Sequence, residues 1–221
     1  MRRIYILIAI FFSCNTNNNQ TINSNDTIAG NLYSGYSVNG NVYYYMLSSG
    51  KIMYGCPTGG LENFDFNANC AARPDICGTY TKDGATLNIR WNNNNTRTGK
   101  IAANGDIDID GSLIGEMKKV PDRLSASYDF SVNMGGTSIA ETTKFNGDGT
   151  FLVSRVGGVD SGDGQNSAEW NSSHSGKYSI SGYTITMIEN NGNITKHTIY
   201  STDGAANPDM LGWDGNFLSK K

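Results

Sequence analysis

Gly78-Thr79-Tyr80-Thr81-Lys82-Asp83-Gly84-Ala85-Thr86-Leu87-Asn88-Ile89 returns 98 positions later as Gly176-Lys177-Tyr178-Ser179-Ile180-Ser181-Gly182-Tyr183-Thr184-Ile185-Thr186-Met187. The match extends outward in the same order. Ser49-Gly50-Lys51-Ile52 aligns with Asp148-Gly149-Thr150-Phe151, Gly59-Gly60-Leu61 with Gly157-Gly158-Val159, and Asp110-Gly111 with Asp214-Gly215. A tandem repeat with a period near one hundred residues is too long for a solenoid and suits two copies of a small β domain. In each copy the quoted stretch reads as two strands about a glycine turn. Leu87, Ile89 and Trp91 fall on one face of the second strand, as do Ile185 and Met187.

Working outward, 41–47 and 51–54 flank Ser48-Ser49-Gly50 and read as a hairpin. Segments 141–145 and 150–153, about Asn146-Gly147-Asp148-Gly149, are its counterpart. Residues 96–101, 106–110 and 112–118 predict three further strands, answered by 194–201, 210–213 and 216–219. Between the first hairpin and the quoted stretch, Leu61, Phe64 and Ala68 recur at helical spacing and predict one short helix over 61–70. The second half has a polar loop there, 160–167, and Trp170 and His174 are likewise expected in a loop, His174 just before Gly176 and in contact with solvent. Val120-Pro121-Asp122 is the expected boundary, because proline ends a strand and the repeat restarts at Leu124. Each half yields seven or eight strands in meander order, enough to close a barrel and remove its edges. The expected fold is all-β: two tandem antiparallel meander barrels over 31–120 and 121–221. One larger barrel or sandwich shared by both halves is the alternative.

The 221 residues include 27 glycines, 12 tyrosines and only 4 prolines, a mix suited to short strands and tight turns. A net charge of −3 and a charged fraction of 17% exclude the basic surface that neutralises phosphates, so nucleic acid is not an expected partner. Met1-Arg2-Arg3, the apolar run 4–12 and Ser13 have the layout of a secretory leader over 1–13, too short to span a bilayer. Cys14 follows directly and resembles the lipidated cysteine of the bacterial lipobox, although Phe11-Phe12 replaces its usual small and leucine residues. Ordinary cleavage and an uncleaved anchor remain the alternatives. Residues 14–30, rich in Asn, then form a polar tether reaching roughly 20–24 Å. The resemblance implies lipid anchoring at the bacterial cell envelope, at the outer membrane, with the membrane as a partner. In an exported chain Cys70 and Cys77, which bracket a turn-rich stretch, are expected to pair. Cys56 is left over, as a buried small hydrophobe or a reactive thiol.

Phe145-Asn146-Gly147-Asp148-Gly149-Thr150-Phe151, followed by Gly176-Lys177-Tyr178 and Gly182-Tyr183-Thr184-Ile185, resembles the lipocalin-like domains of bacterial lipoproteins. Tyr43-Tyr44-Tyr45, Gly59-Gly60-Leu61 and Cys77-Gly78-Thr79-Tyr80 extend the likeness to the first half. The resemblance implies a lipocalin-like binding barrel, with no catalytic residues and no cofactor to carry over.

No motif for chemistry is complete. Asp106-Ile107-Asp108-Ile109-Asp110-Gly111 opens like a calcium loop, but Met117 stands where the closing Glu belongs, and the alternation fits a strand with one wet face. Asp160-Ser161-Gly162 lacks the rest of a serine-nucleophile motif, and His174 and His197 stand in no catalytic context. The cysteines and two histidines give no zinc spacing. Enzymatic chemistry therefore ranks third. The leading expectation is non-covalent binding of a small apolar or amphipathic ligand inside a barrel, lined by Tyr44, Ile52, Leu87, Ile89, Phe151 and Ile185, with Trp170 as a contact outside the core. The alternative is a protein-interaction or inhibitor module acting on an envelope protein through loops 62–77 or 160–174.

Overall fold

The computed structural model describes residues 30–37, 40–62, 64–134, 136–160 and 167–221. The leader, Cys14, the tether up to residue 29 and the Ser161-Gly162 pair lie outside the described residues. The first half forms β1 (Gly30–Ser37), β2 (Gly40–Leu47), β3 (Lys51–Tyr54), helix α1 (Phe66–Ala72), a 3-10 turn (Pro74–Ile76), β4 (Cys77–Asp83), β5 (Thr86–Trp91), β6 (Thr96–Ile101), β7 (Ile107–Ile109) and β8 (Ser112–Glu116). The second half forms β9 (Ala126–Met134), β10 (Thr137–Phe145), β11 (Thr150–Asp160), β12 (Ser167–Ser181), β13 (Thr184–Glu189), β14 (Ile194–Ser201), β15 (Met210–Trp213) and β16 (Asn216–Lys220). Each set closes into its own eight-stranded antiparallel barrel in meander order. The first closes through Tyr33↔Glu116 to Gly35↔Ile114, the second through Ser219↔Asp129 and Lys220↔Tyr128.

The repeat is visible in the backbone itself. Trp91 N donates to Asn95 O (2.8 Å) and Asn92 N to Cys77 O; 98 residues on, Glu189 N donates to Asn193 O (2.9 Å) and Asn190 N to Ser175 O. Asn94, at φ 67°, stands where Gly192, at φ 90°, makes the same turn. Tyr80 N donates to Gly50 O as Tyr178 N does to Gly149 O, and Ile101 N to Ala85 O as Ile199 N does to Tyr183 O.

Each barrel encloses an apolar core, one built on Tyr44, Ile52, Leu87, Ile89, Ile107, Ile109 and Ile114, the other on Tyr128, Phe145, Phe151, Tyr178, Ile185 and Leu211. A third cluster joins the barrels. Tyr43, Tyr45, Leu47 and Met53, on the outer face of the first barrel, pack with Leu61, Phe66, Tyr183 and Tyr200. Polar contacts stitch the same seam. Thr184 Oγ1 accepts from Leu61 N (2.8 Å) and Glu62 N (3.0 Å), Thr198 Oγ1 accepts from Gly60 N and donates to Pro57 O, and Tyr200 OH donates to Tyr43 OH (2.9 Å), which donates to Gly215 O. Gly60 must be glycine here: its φ is +89° and a Cβ would stand 2.4 Å from Thr184 Cγ2.

Two expectations are corrected by this packing. The helix starts at Phe66, with Asp65 Oδ1 accepting from Ala68 N as its N-cap. Leu61 and Phe64 lie outside it, because their apolar side chains serve the seam between barrels. Likewise Trp170 and His174 belong to strand β12, paired with Gly157 and Val153 of β11, and not to a loop. Cys70 and Cys77 form a disulfide that ties α1 to β4.

Candidate functional site

The seven residues expected to contact ligand are not brought together. Tyr44, Ile52, Leu87 and Ile89 sit in the first core, Phe151 and Ile185 in the second, each 3% exposed or less. An eight-stranded lumen is narrow enough for side chains to fill it. Trp170 stands apart from both cores.

Each barrel has one end of tight turns, at 48–50 and 84–85 in the first and at 146–149 and 182–183 in the second. The opposite end carries the larger features: the 55–76 excursion and the 92–95 turn in the first barrel, and the long β10, β11 and β12 in the second. Recesses lie at this end of both.

In the second barrel the strand register places residues in rows across β9, β10, β11 and β12. Val132, Ile139, Gly157 and Trp170 form one row on the lumen-facing side, with Met134, Thr137, Val159 and Ala168 in the next row outward. The Trp170 indole lies against Gly157, where a Cβ would be 2.3 Å from it, so glycine makes the seat for the ring. Trp170 is 39% exposed, Val159 41% and Met134 61%. One row deeper, Arg155 Nε donates to Glu141 Oε2 (2.7 Å), a charge pair between this apolar lip and the core. The other side of the same strands carries Asn133, Ser138, Gly158 and Glu169 in one row and Ser131, Ala140, Val156 and Asn171 in another, and these residues share with Ile139, Gly157 and Trp170 the lining of an open groove of about 950 Å³.

At the mouth of the first barrel a smaller recess of about 240 Å³ is lined by Tyr54, Asp75, Trp91, Asn93, Asn95 and Arg97. Tyr44 lies beneath it, 5.3 Å from the Tyr54 ring and 6.4 Å from Trp91, and burial raises the pKa of its phenol. Arg97 Nη1 meets Asp110 Oδ2 at 2.9 Å.

The remaining candidates resolve into structural roles. Ile107 and Ile109 are buried, while Asp106 accepts from Asn104, Asp108 from Gly111 N, and Asp110 pairs with Arg97, so the three carboxylates do not converge. His197 Nδ1 lies 2.6 Å from Asp214 Oδ2, and Asp214 Oδ1 accepts from Thr198 N and Gly59 N. His197 stacks on Trp213 at 4.5 Å. Cys56 is a free thiol pushed up to about 12, first by burial and then by Asp214, which leaves it without thiolate character. Among the described residues no group of three or more His, Cys, Asp or Glu is placed to hold a metal ion, and no helix is long and apolar enough to cross a membrane. Comparison of the chain with protein-family models, with curated proteins and with solved structures finds no match in any of the three.

Proposed function

We propose that this is a non-catalytic binding protein of the bacterial cell envelope, lipid-anchored through Cys14, that takes a small amphipathic ligand at the lip of its second barrel. The observation that carries the reading is the lumen-facing row Val132, Ile139, Gly157 and Trp170. An indole seated on glycine, with Val159 and Met134 beyond it, presents apolar surface to water at a barrel mouth. Contiguous exposed apolar side chains of this kind mark contact sites. The Arg155–Glu141 pair one layer down offers hydrogen bonds to a polar head, while the apolar lip covers a chain. Both cores are tightly populated by side chains, which favours the mouth over the deep lumen.

The test is native mass spectrometry of the full chain isolated from its own membranes without organic solvent. A stoichiometric adduct that is lost in Trp170→Ala, with folding intact by circular dichroism, is the expected result. A bare protein, or an adduct indifferent to Trp170→Ala, refutes the reading. A protein partner is the second reading, favoured by the open groove that Trp170 shares with the outer rows of the same strands, where Val156 is 56% exposed between Ala140 and Asn171.

A further inference from the structure

The two copies of one turn differ in a way that marks a second site. In the second barrel the side chains of the turn satisfy one another: Asn191 Nδ2 donates to Glu189 Oε2 (2.9 Å) and Asn193 Nδ2 to Glu189 Oε1 (2.9 Å). In the first barrel the backbone hydrogen bonds are the same, and Asn95 N still donates to Asn93 Oδ1 (3.0 Å) as Asn193 N does to Asn191 Oδ1. Trp91, however, occupies the place of Glu189. The Asn93 and Asn95 amide nitrogens therefore lack the carboxylate partner that Glu189 supplies in the second turn, and both residues line the 240 Å³ recess with Asp75, beside Tyr54 and Trp91.

We propose that this recess at the mouth of the first barrel binds one unit of a neutral saccharide. The chemistry of the lining selects it. An anion finds no spare cation, because Arg97 already faces Asp110 at 2.9 Å and Asp75 adds a negative charge. A wholly apolar ligand strips water from Asn93, Asn95, Asp75 and Arg97 and returns no hydrogen bonds, which is unfavourable for each group. A sugar hydroxyl both donates and accepts, as the amides require, with Asp75 accepting and Arg97 donating. The C–H face of the ring has Tyr54, 40% exposed, to lie against. The volume suits a single ring: at about 30 Å³ per water in the liquid it is the space of roughly eight waters. This site is separate from the lip of the second barrel and does not depend on it.

The experiment is a titration of the full chain with neutral methyl glycosides of several hexoses and N-acetylhexosamines, up to about 50 mM, followed by amide and indole NMR; a Kd of 1 mM corresponds to about 4.1 kcal/mol of binding. Acetate and a medium-chain alcohol are titrated in parallel. Saturable shifts at the Asn93 and Asn95 side chains and the Trp91 indole are expected for at least one glycoside. Tyr54→Ala and Asn95→Ala are expected to weaken that binding about tenfold, Tyr54→Phe to retain it, and Trp170→Ala to leave it unchanged. The proposal is overturned if no glycoside shifts these resonances, if only acetate or the alcohol does, or if Tyr54→Ala and Asn95→Ala both bind as the parent chain. Loss of binding in Trp170→Ala with Tyr54→Ala unaffected moves the sugar to the second barrel and likewise overturns it.

Discussion

Thr184→Val exchanges one hydroxyl for a methyl group of nearly equal volume and strikes the seam between the barrels. Thr184 is buried, and its Oγ1 accepts from the backbone N–H of both Leu61 and Glu62. Valine leaves both donors facing a methyl group. A buried N–H without a partner costs about 1–3 kcal/mol. The Leu61 contact is buried and bears the full penalty, whereas the Glu62 contact is partly buried and bears less. The expected loss is roughly 2–4 kcal/mol in the docking of the 57–62 loop. At 1.4 kcal/mol per factor of ten, local opening of that loop rises on the order of 30- to 1,000-fold. Amide hydrogen exchange reads this directly, with Leu61 and Glu62 losing protection while Leu87 and Ile89, deep in the first core, keep theirs. Thr184→Ser retains the acceptor and should preserve most of the protection. Exchange at Leu61 and Glu62 unchanged within a factor of about two in Thr184→Val would refute the claim that these hydrogen bonds hold the barrels together.

Leu87→Ala and Ile185→Ala are each expected to lower unfolding free energy by about 2–5 kcal/mol in a denaturant titration, since both side chains are fully buried in a packed lumen; losses under about 1 kcal/mol would indicate a chamber that tolerates truncation. Alkaline pH provides a further check. Burial raises the phenols of Tyr45, Tyr128 and Tyr183 to about 12, with like charges adding a smaller push. The folded state thus holds these protons more tightly than the unfolded chain, so their contribution is complete below about pH 10 and is lost as pH rises to about 12. Each group accounts for roughly 2–3 kcal/mol at the end of that window. Phenolate absorbance should show a delayed class of tyrosines that titrates together with unfolding; every tyrosine titrating near pH 10 in a still-folded protein would contradict it.

The barrels were legible because the repeat is anchored in turns whose geometry few residues tolerate. Gly50 and Gly149, Gly84 and Gly182, and Asp110-Gly111 and Asp214-Gly215 all adopt positive φ. The disulfide was legible from the spacing of Cys70 and Cys77 together with the expectation of an exported chain. β1 and the outer half of β12 escaped for a shared reason: strand alternation is visible only when one face is wet and the other dry. β1 has Leu32 in the seam and Tyr33 in the lumen, so it shows no alternation and its start at Gly30 merged with the tether. The outer half of β12, from Ala168 to His174, is exposed on both faces and imitates a polar loop. Leu61 and Phe64 have helical spacing but answer to the other barrel. The amides at the first mouth that lack this carboxylate partner follow from Trp91 standing opposite Glu189 in the aligned repeat, a contrast that gains meaning only once the two turns are known to share their hydrogen bonds.

The double burial of β2 has a consequence for how the chain is made. From Val42 to Leu47 every residue is buried, with Tyr44 and Met46 turned into the first lumen and Tyr43, Tyr45 and Leu47 turned toward the second barrel. During synthesis or export the first barrel emerges complete while Thr184, Thr198 and Tyr200 are still to come. Until they arrive it carries a tyrosine-rich flank and a loop of unmet backbone amides, the features by which partly finished multidomain chains stick to one another. A chain stopped near Pro121 is therefore complete as a barrel and incomplete as a soluble object.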